Sequence, residues 1–367
     1  MKEIIIIGPI PPPIHGESVA LKQIIESKNF KSKYKLKVIN TNRAVIHQVG
    51  KFSFRKILQD VIIIIKTFLN LINRKKHALY VSISQTKLGL FRDLILIQLG
   101  NQFASKTIIH LHGNNLGNIL DSLSPFQMKF VKKVLGKVTT GIVLGEKLKS
   151  NYRGLVRNVQ IVANGVDLNF ISDKDIDEAK SLKTNSKINI VYLSNLMKEK
   201  GYIELVKAVT ELIDEGYSIN LTLAGAIHDE KDYFVMKKFI EKHGFDNSIR
   251  YIGIVTNLKK KKLLLDSDLM ILPSNYAVEG QPISIIEGMA AGLPIISTQR
   301  GCIEDLINSN GILLEEGSST LIKESIVSII NDPEKMNLYS QASRQHYLTN
   351  FSDKKYIDNI IKAIEEK

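Results

Sequence analysis

Short runs of Ile, Val and Leu alternate along this chain with longer stretches whose apolar residues recur every three or four positions. The short runs predict strands at residues 3–7, 35–39, 78–83, 106–111, 139–144 and 159–162 in the first half. In the second half they predict strands at 188–193, 219–224, 249–254, 269–272, 294–297 and 311–314. Helices are expected between them, at 17–27, 54–73, 87–103 and 125–135 in the first half and after each strand of the second. Near-continuous apolar strands alternating with helices mean parallel sheets covered on both faces. Two such series predict an α/β chain with two Rossmann-like, doubly wound domains. The alternation pauses after Asn164-Gly165-Val166-Asp167, where the polar stretch 172–187 begins. The boundaries are therefore 1–167 for an N-terminal domain and 168–350 for a C-terminal one. The chain ends in helical segments at 318–330, 333–347 and 352–366 with no strand between them. The last, within 351–367, carries Tyr356 and Ile360 on one face behind the N-cap candidate Ser352 and is expected to pack back on the N-terminal domain.

Composition agrees with two folded domains: 367 residues, 44% hydrophobic and 24% charged. One cysteine, Cys302, excludes an intramolecular disulfide and a Cys-based metal site, and points to a reducing, cytosolic compartment. Beside Gly301 it reads as a small buried residue. Lys2-Glu3 and the short run 4–7 do not make a signal peptide. The apolar stretch 57–72 is broken by Gln59, Asp60, Lys66, Thr67 and Asn70, short of the roughly 18 apolar residues a membrane span needs. It reads as a helix either packed on a sheet or partly dipped into a bilayer surface.

Charge changes the picture more. The net +13 is unevenly spread: residues 1–167 hold 26 Lys+Arg against 8 Asp+Glu (+18), and residues 168–367 hold 24 against 29 (−5). A basic N-terminal half predicts a polyanion or an anionic membrane as partner. The hydrophobic helix ended by Arg74-Lys75-Lys76 fits a membrane surface, and equally a core helix whose basic end complements its own dipole. Nucleic acid also accounts for the charge, but no RNP aromatics or Cys/His fingers accompany it, so no nucleic acid is expected.

Candidate chemistry is densest from Pro273 to Pro294. The segment follows the strand 269–272, so it lies at the carboxyl edge of a parallel sheet, where such folds bind ligands. A loop bearing Glu279 and Gly280 leads to a helix 282–291, with Pro282 in its first turn, Glu287 about one and a half turns in, and Gly292 at its end. Free N–H groups over Gln281, Pro282, Ile283 and Ser284 (Pro282 itself lacking one) and the positive helix end make an anion site suited to a diphosphate. Glu287 can accept two ribose hydroxyls, and Glu279 can reach a sugar beyond the phosphates. A buried apolar helix makes an unbonded Glu costly, which favours a bound role over a solvated one. The run 259–262 of lysines reads as a solvated face. His110 and His112 end a strand; they are expected on opposite faces, so that the pair serves no single site and binds no metal. Asp266-Ser267-Asp268 matches a DxD pattern but leads into a buried strand, and Gly8–Gly16 is not a GxGxxG dinucleotide fingerprint.

The stretch 279–298 resembles the signature of glycosyltransferase family 4, the retaining GT-B enzymes also called glycosyl transferases group 1. The resemblance implies that Glu279 contacts the donor sugar and Glu287 the ribose. Leu193-Ser194-Asn195-Leu196-Met197-Lys198-Glu199-Lys200-Gly201 resembles the family's Gly-Arg-Leu…Glu-Lys-Gly stretch. By that match Lys200 neutralises the leaving diphosphate, and Asn195 stands where an Arg is usual. The turn 8–18 resembles the N-terminal glycine loop, with His15-Gly16 for Gly-Gly, which carries over only Gly16. His112 matches the family's functional His, which implies a part in hydrogen-bonding the transferring sugar or in polarising the reacting centre. Ala163-Asn164-Gly165-Val166-Asp167 resembles the interdomain Pro-Asn-Gly-Val-Asp.

The resemblance implies a GT-B fold, with the two domains facing across a cleft, and transfer of a sugar from a nucleotide sugar, UDP-sugars being favoured, to a hydroxyl with retention. It implies no metal and no other cofactor. The acceptor, a glycan or lipid-linked glycan, is assigned to the basic N-terminal domain, and the setting to bacterial surface polysaccharide assembly (lipopolysaccharide, O-antigen or capsule). The location expected is cytoplasmic, peripheral on the inner face of the membrane. The rival readings are a sugar-nucleotide epimerase of the same architecture, a basic nucleic-acid-binding protein, and a sugar-binding partner without activity.

Overall fold

The computed structural model describes residues 2–13, 15–42, 54–72, 77–183 and 187–366, with only the backbone of 54–56. Ile14 of the proline turn and the basic end Arg74-Lys75-Lys76 lie outside the described residues. The chain divides into two compact units, Met1–Asn164 with Asp353–Lys367, and Gly165–Ser352.

The first unit runs β1 (Lys2–Gly8), α1 (Gly16–Glu26), α2 (Lys28–Lys33), β2 (Tyr34–Asn40), α3 (Phe54–Leu71), β3 (Ala78–Ser82), α4 (Lys87–Phe103), β4 (Lys106–Leu111), α5 (Leu116–Asp121), α6 (Pro125–Leu135), β5 (Thr140–Val143) and β6 (Val159–Ile161). Its six strands are parallel in the order β2-β1-β3-β4-β5-β6. Ile4, Ile5, Ile6 and Ile7 are all fully buried, as a strand covered on both faces requires. Order reverses between β1, which pairs on one side with β2 and on the other with β3. That switch point leaves a crevice at the carboxyl ends of β1 and β3.

The second unit runs α7 (Asp173–Leu182), β7 (Ile188–Leu193), α8 (Tyr202–Asp214), β8 (Ile219–Ala224), α9 (Glu230–His243), β9 (Ile249–Tyr251), α10 (Asn257–Asp266), β10 (Leu269–Leu272), α11 (Ile283–Ala290), β11 (Ile295–Thr298), β12 (Gly311–Leu314), α12 (Ser319–Ile330) and α13 (Pro333–Asn350). This sheet is also six-stranded and parallel, in the order β12-β11-β10-β7-β8-β9. Its switch point lies between β7 and β10. The loop carrying Lys200 therefore leaves the sheet beside the loop carrying Glu279, although 79 residues separate them.

The final helix, α14 (Asp353–Glu365), belongs to the first unit. Tyr356, Ile357, Ile360, Ile361 and Ile364 form its apolar stripe, packed with Leu21, Ile24, Phe30 and Tyr80 in one buried cluster. The Tyr356 hydroxyl donates to the Ala20 carbonyl at 3.3 Å.

Candidate functional site

In the second unit the loop after β10 is built by its own polar side chains. The Ser274 N–H donates to the Leu272 carbonyl at 2.9 Å, and the Tyr276 N–H to Ser274 Oγ at 3.3 Å. Thr298 Oγ1, at the end of β11, donates to the Ser274 carbonyl. Asn275 ties the loop to Gly317, and its N–H donates to the Glu199 carbonyl at 2.7 Å. Two glycines let the neighbouring chains come close. Gly201 has φ +77°, and a Cβ there would strike the Pro273 carbonyl; Gly301 has φ +54°, and a Cβ there would strike the Glu279 and Gly280 carbonyls. The Gly280 carbonyl accepts from the Cys302 N–H at 2.9 Å, which gives the buried Cys302 a framework role.

This frame presents Glu279 as a buried carboxylate. Lys200 Nζ donates to its two oxygens at 2.6 and 2.9 Å, and Ser274 Oγ donates at 2.8 Å. The Lys200 ammonium also sits 5.2 Å from the centre of the Tyr276 ring, a cation–π contact. The pair is nearly enclosed, with side-chain exposures of 14% and 7%. Breaking such a pair leaves an uncompensated buried charge, which is the costly state. Lys200 is thus held by Glu279, not free for a phosphate.

Glu287 lies on α11, and Lys260 Nζ of α10 donates to it at 2.7 Å. Burial pushes the Glu287 carboxyl above its ordinary range, and Lys260 pulls it back. Lysines 259–262 are accordingly not a simple solvated face. Lys260 is spent on Glu287 and Lys261 on Asp175 at 2.7 Å, because their helix packs inward at those positions. Pro282 also needs correction: it is the N-cap of α11 in an extended conformation, and Ile283 begins the helix. Gln281 is buried beside it. First-turn N–H groups at Ile283 and Ser284 have no partner within a helix, so the anion-binding character of this end stands on ordinary helix geometry.

Asn195 does not aim a charge into the site. Its Oδ1 accepts from the Ala226 N–H at 3.3 Å and its carbonyl from the Tyr192 hydroxyl at 3.1 Å, so it shapes the loop after β7. A cation that sequence reading passed over is Arg300, just past β11 and adjacent to Gly301. Its Nε is buried without a hydrogen-bond partner. The sequence signal was an Arg one position before the glycine that abuts Glu279. Asp268, from the DxD-like text, is structural: it accepts from Lys183 at 2.6 Å and from the Asn189 N–H at 2.8 Å. Among the described residues no group of three His, Cys, Asp or Glu stands together to hold a metal ion.

In the first unit Gly16 is the first residue of α1, and His15 caps that helix by accepting from the Ser18 N–H at 3.3 Å. His112 follows β4. The expectation that His110 and His112 point apart is wrong: residues two apart along a strand share a face. Their rings lie 3.8 Å apart, tilted by 31°. The two differ in partners. His110 Nδ1 meets the Tyr80 hydroxyl at 2.5 Å, deep in the core. Both ring nitrogens of His112 are buried without a partner. Burial, and then the His15 ring, push the His112 pKa down to about 3, so it is a neutral imidazole.

A second group missed from the sequence is Glu17. It accepts from Ser82 Oγ at 2.5 Å, at the carboxyl end of β3. Burial raises its carboxyl to about 7; the Ser82 bond opposes this, Asp93 adds to it and Arg92 subtracts. The only cue was a Glu in the first turn after a glycine loop, which reads as a dipole partner.

Residues 173–346 match the family described as Glycosyl transferases group 1. The second unit thus carries a glycosyl transferases group 1 domain. An uncharacterized glycosyltransferase of Methanocaldococcus jannaschii is 26% identical over 276 residues, covering 72% of this chain and 69% of its own length. The chain is also 24% identical to the capsular polysaccharide biosynthesis glycosyltransferase CapM of Staphylococcus aureus, over 50% of this chain and 47% of CapM, about half the length of that relative. Among solved structures, Anabaena HepE in complex with UDP is similar to this chain over 99% of both, with TM-score 0.74 at 18% identity. Together with the two parallel sheets, this likeness places the chain in the GT-B fold.

Proposed function

We propose that this protein is a retaining, family 4 glycosyltransferase that takes a sugar from a nucleoside-diphosphate sugar, a UDP-sugar being favoured. The acceptor is a hydroxyl of a glycan or lipid-linked glycan in bacterial surface polysaccharide assembly, with the protein at the cytoplasmic face of the membrane. CapM, by its name, and HepE, by its bound UDP, support the pathway and the nucleotide. The observation that carries the reading is the pair of buried, lysine-held carboxylates, Glu279 and Glu287, at the switch point of the second sheet.

In this reading Glu287 accepts the ribose hydroxyls, and Gln281, Pro282, Ile283 and the start of α11 receive the diphosphate. Gly280 lets the loop approach it. Glu279 accepts sugar hydroxyls, and Lys200 turns its ammonium from Glu279 to the diphosphate as negative charge develops there. Arg300 supplies the second cation that Asn195 does not. The bond from the anomeric carbon to the diphosphate oxygen breaks with its electron pair going to phosphate, the acceptor oxygen bonds the same carbon, and the acceptor's hydroxyl proton passes to the departing diphosphate. No cofactor enters this scheme. The first unit takes the acceptor; Gly16 opens its glycine turn, and His112, neutral and with two free ring nitrogens, hydrogen-bonds a sugar hydroxyl.

The test is nucleotide release from UDP-, GDP- and ADP-sugars in the presence of membrane-extracted acceptors, wild type against Glu287→Ala. Release by the wild type from one donor, reduced on the order of a hundredfold in the variant, supports the assignment. An epimerised donor with no transfer product assigns the site to an epimerase, and no donor bound by either protein refutes it.

A further inference from the structure

Helix α3 is amphipathic in the wrong sense for a helix that serves only to cover a sheet. The positions it buries are Ile63, Thr67 and Leu71, spaced four apart. Its outer side carries Leu58, Val61, Ile62, Ile65 and Leu69, with Leu58 60% and Leu69 62% exposed. The outward side is thus the more apolar of the two. The feature continues sideways, since α3 packs against α4 and α4 against α6. On α4, Leu88 is 75% exposed and Ile95 is exposed as well; on α6, Phe126 is 85% exposed and Phe130 lies one turn on. Exposed apolar side chains gathered on three helices that pack one against the next mark an interaction site.

Charge decides what covers it. Lys66, Lys87, Lys129, Lys132 and Lys133 of these helices are exposed. The sequences of the three helices contain only two carboxylates, Asp60 and Asp93, and both are turned to Arg92, at 3.5 and 2.7 Å. The outer side of the layer is therefore apolar with lysines and no free acid. A protein partner, including a second copy of this chain, would have to bury those lysines or supply carboxylates opposite them. An anionic bilayer meets both features at once: apolar side chains enter below the headgroups while the lysine stems snorkel to the phosphates. Among the described residues no helix is long and apolar enough to cross a membrane, so the mode is lying on the surface, not spanning it.

We propose that the outer side of α3, α4 and α6 is the membrane-docking surface of the first unit, with an anionic lipid bilayer as its occupant. The proposal takes its purpose from the reading of a membrane-held acceptor, but its surface is independent of the donor site. Docking on this layer sets the carboxyl edge of the first sheet, with His112 and Gly16, at a fixed distance from the headgroups.

The experiment is co-sedimentation of the full chain with vesicles of phosphatidylcholine alone and of phosphatidylcholine with phosphatidylglycerol. The wild type is expected to sediment with the anionic vesicles only, and less at high salt. Leu58→Ser/Ile65→Ser/Leu69→Ser alters only exposed positions and is expected to lower the vesicle-bound ratio by about tenfold or more. Lys129→Glu/Lys133→Glu is expected to lower it too, and to flatten the salt dependence. A wild type that stays in solution with anionic vesicles overturns the proposal, as does a triple variant that binds as the wild type does. A dimer in solution that the triple variant dissolves would assign the face to a second copy and overturn it equally. Nucleotide release without vesicles is measured in parallel. If release persists while vesicle binding is absent, docking fails and the transferase reading survives; if binding behaves as expected without release from any donor, docking survives alone.

Discussion

The two sheets are both six-stranded and parallel, though their strand orders differ, and the groups named at their carboxyl edges handle charge in different ways. In the second unit the buried carboxylates are charge-paired: Glu279 with Lys200 and Glu287 with Lys260. The first unit has one such pair, Arg92 with Asp93, but beside it His110 and His112 have pKa values depressed by burial and Glu17 a raised one, with no counter-ion bonded to them. On the function proposed above, the difference matches the ligand each unit would face. A diphosphate donor needs cations that can change partners, and an ion pair stores such a cation in place. A neutral hydroxyl needs hydrogen-bonding groups without net charge, and desolvation supplies those without a counter-ion.

The largest effect should come from breaking the Lys200–Glu279 pair. Lys200→Met leaves Glu279 buried without its cation, with an expected loss of about 3–5 kcal/mol of stability. Glu279→Gln keeps the hydrogen bond from Ser274 but leaves the Lys200 ammonium without its anion, so it too should lose stability, by about 3 kcal/mol, and nucleotide release should fall on the order of 10²–10³-fold. The double variant Lys200→Met/Glu279→Gln should recover most of the stability and none of the activity, read by urea unfolding beside the release assay. Equal activity in Glu279→Gln and wild type would make the pair a purely structural clamp.

A smaller effect is expected at Glu287. Lys260→Met removes the group that opposes burial, so the Glu287 carboxyl should rise further above its ordinary range. Both side chains keep some solvent contact, at 24% and 14%, so the loss is set at about 1–2 kcal/mol, below that of an enclosed pair. Nucleotide affinity near neutral pH should weaken, because a protonated Glu287 accepts fewer ribose hydroxyls. Calorimetric titration of UDP at pH 6 and pH 8 checks this: the variant should bind more weakly at pH 6 than at pH 8, and an unchanged ratio counts against ribose recognition by Glu287.

Much of this arrangement was legible in the chain, and the part that was not has a common cause. Strands such as Ile219–Ala224 and Leu269–Leu272 fall where apolar runs place them, because a strand covered on both faces announces itself in composition. The helices Lys28–Lys33 and Leu116–Asp121 were not foreseen; six residues are too few to display a period of 3.6. Glu279 and Glu287 stood out because they sit in one continuous segment. Their partners did not: Lys260 is 27 residues from Glu287, and Ser82 is 65 from Glu17. Such partnerships are made by strand order, which a local pattern does not encode. The orientation of α3 was left open for the same reason, since its apolar content suits a core and a surface equally until Ile63, Thr67 and Leu71 are seen to be the buried side.

The finest test concerns the neutral groups of the first unit, which should leave opposing marks on stability against pH. Glu17 is raised from 4.5 to about 7, so the folded state holds a proton that the unfolded chain has released; its contribution is full below pH 4.5 and is lost as pH rises through 7. His112 is lowered from 6.5 to about 3, so its contribution is full above pH 6.5 and is lost as pH falls through 3. Between pH 4.5 and 6.5 the two slopes have opposite sign, each up to about 1.4 kcal/mol per pH unit. His110 adds to the His112 side, because its own pKa is depressed by burial and by His112. Glu17→Gln should therefore steepen the rise of the urea midpoint between pH 4.5 and 6.5, and His112→Asn should flatten it. If Glu17→Gln and wild type run parallel from pH 4 to 8, Glu17 is ionised in the fold, and the contrast between the lysine-held carboxylates of the second unit and the desolvated Glu17 of the first fails.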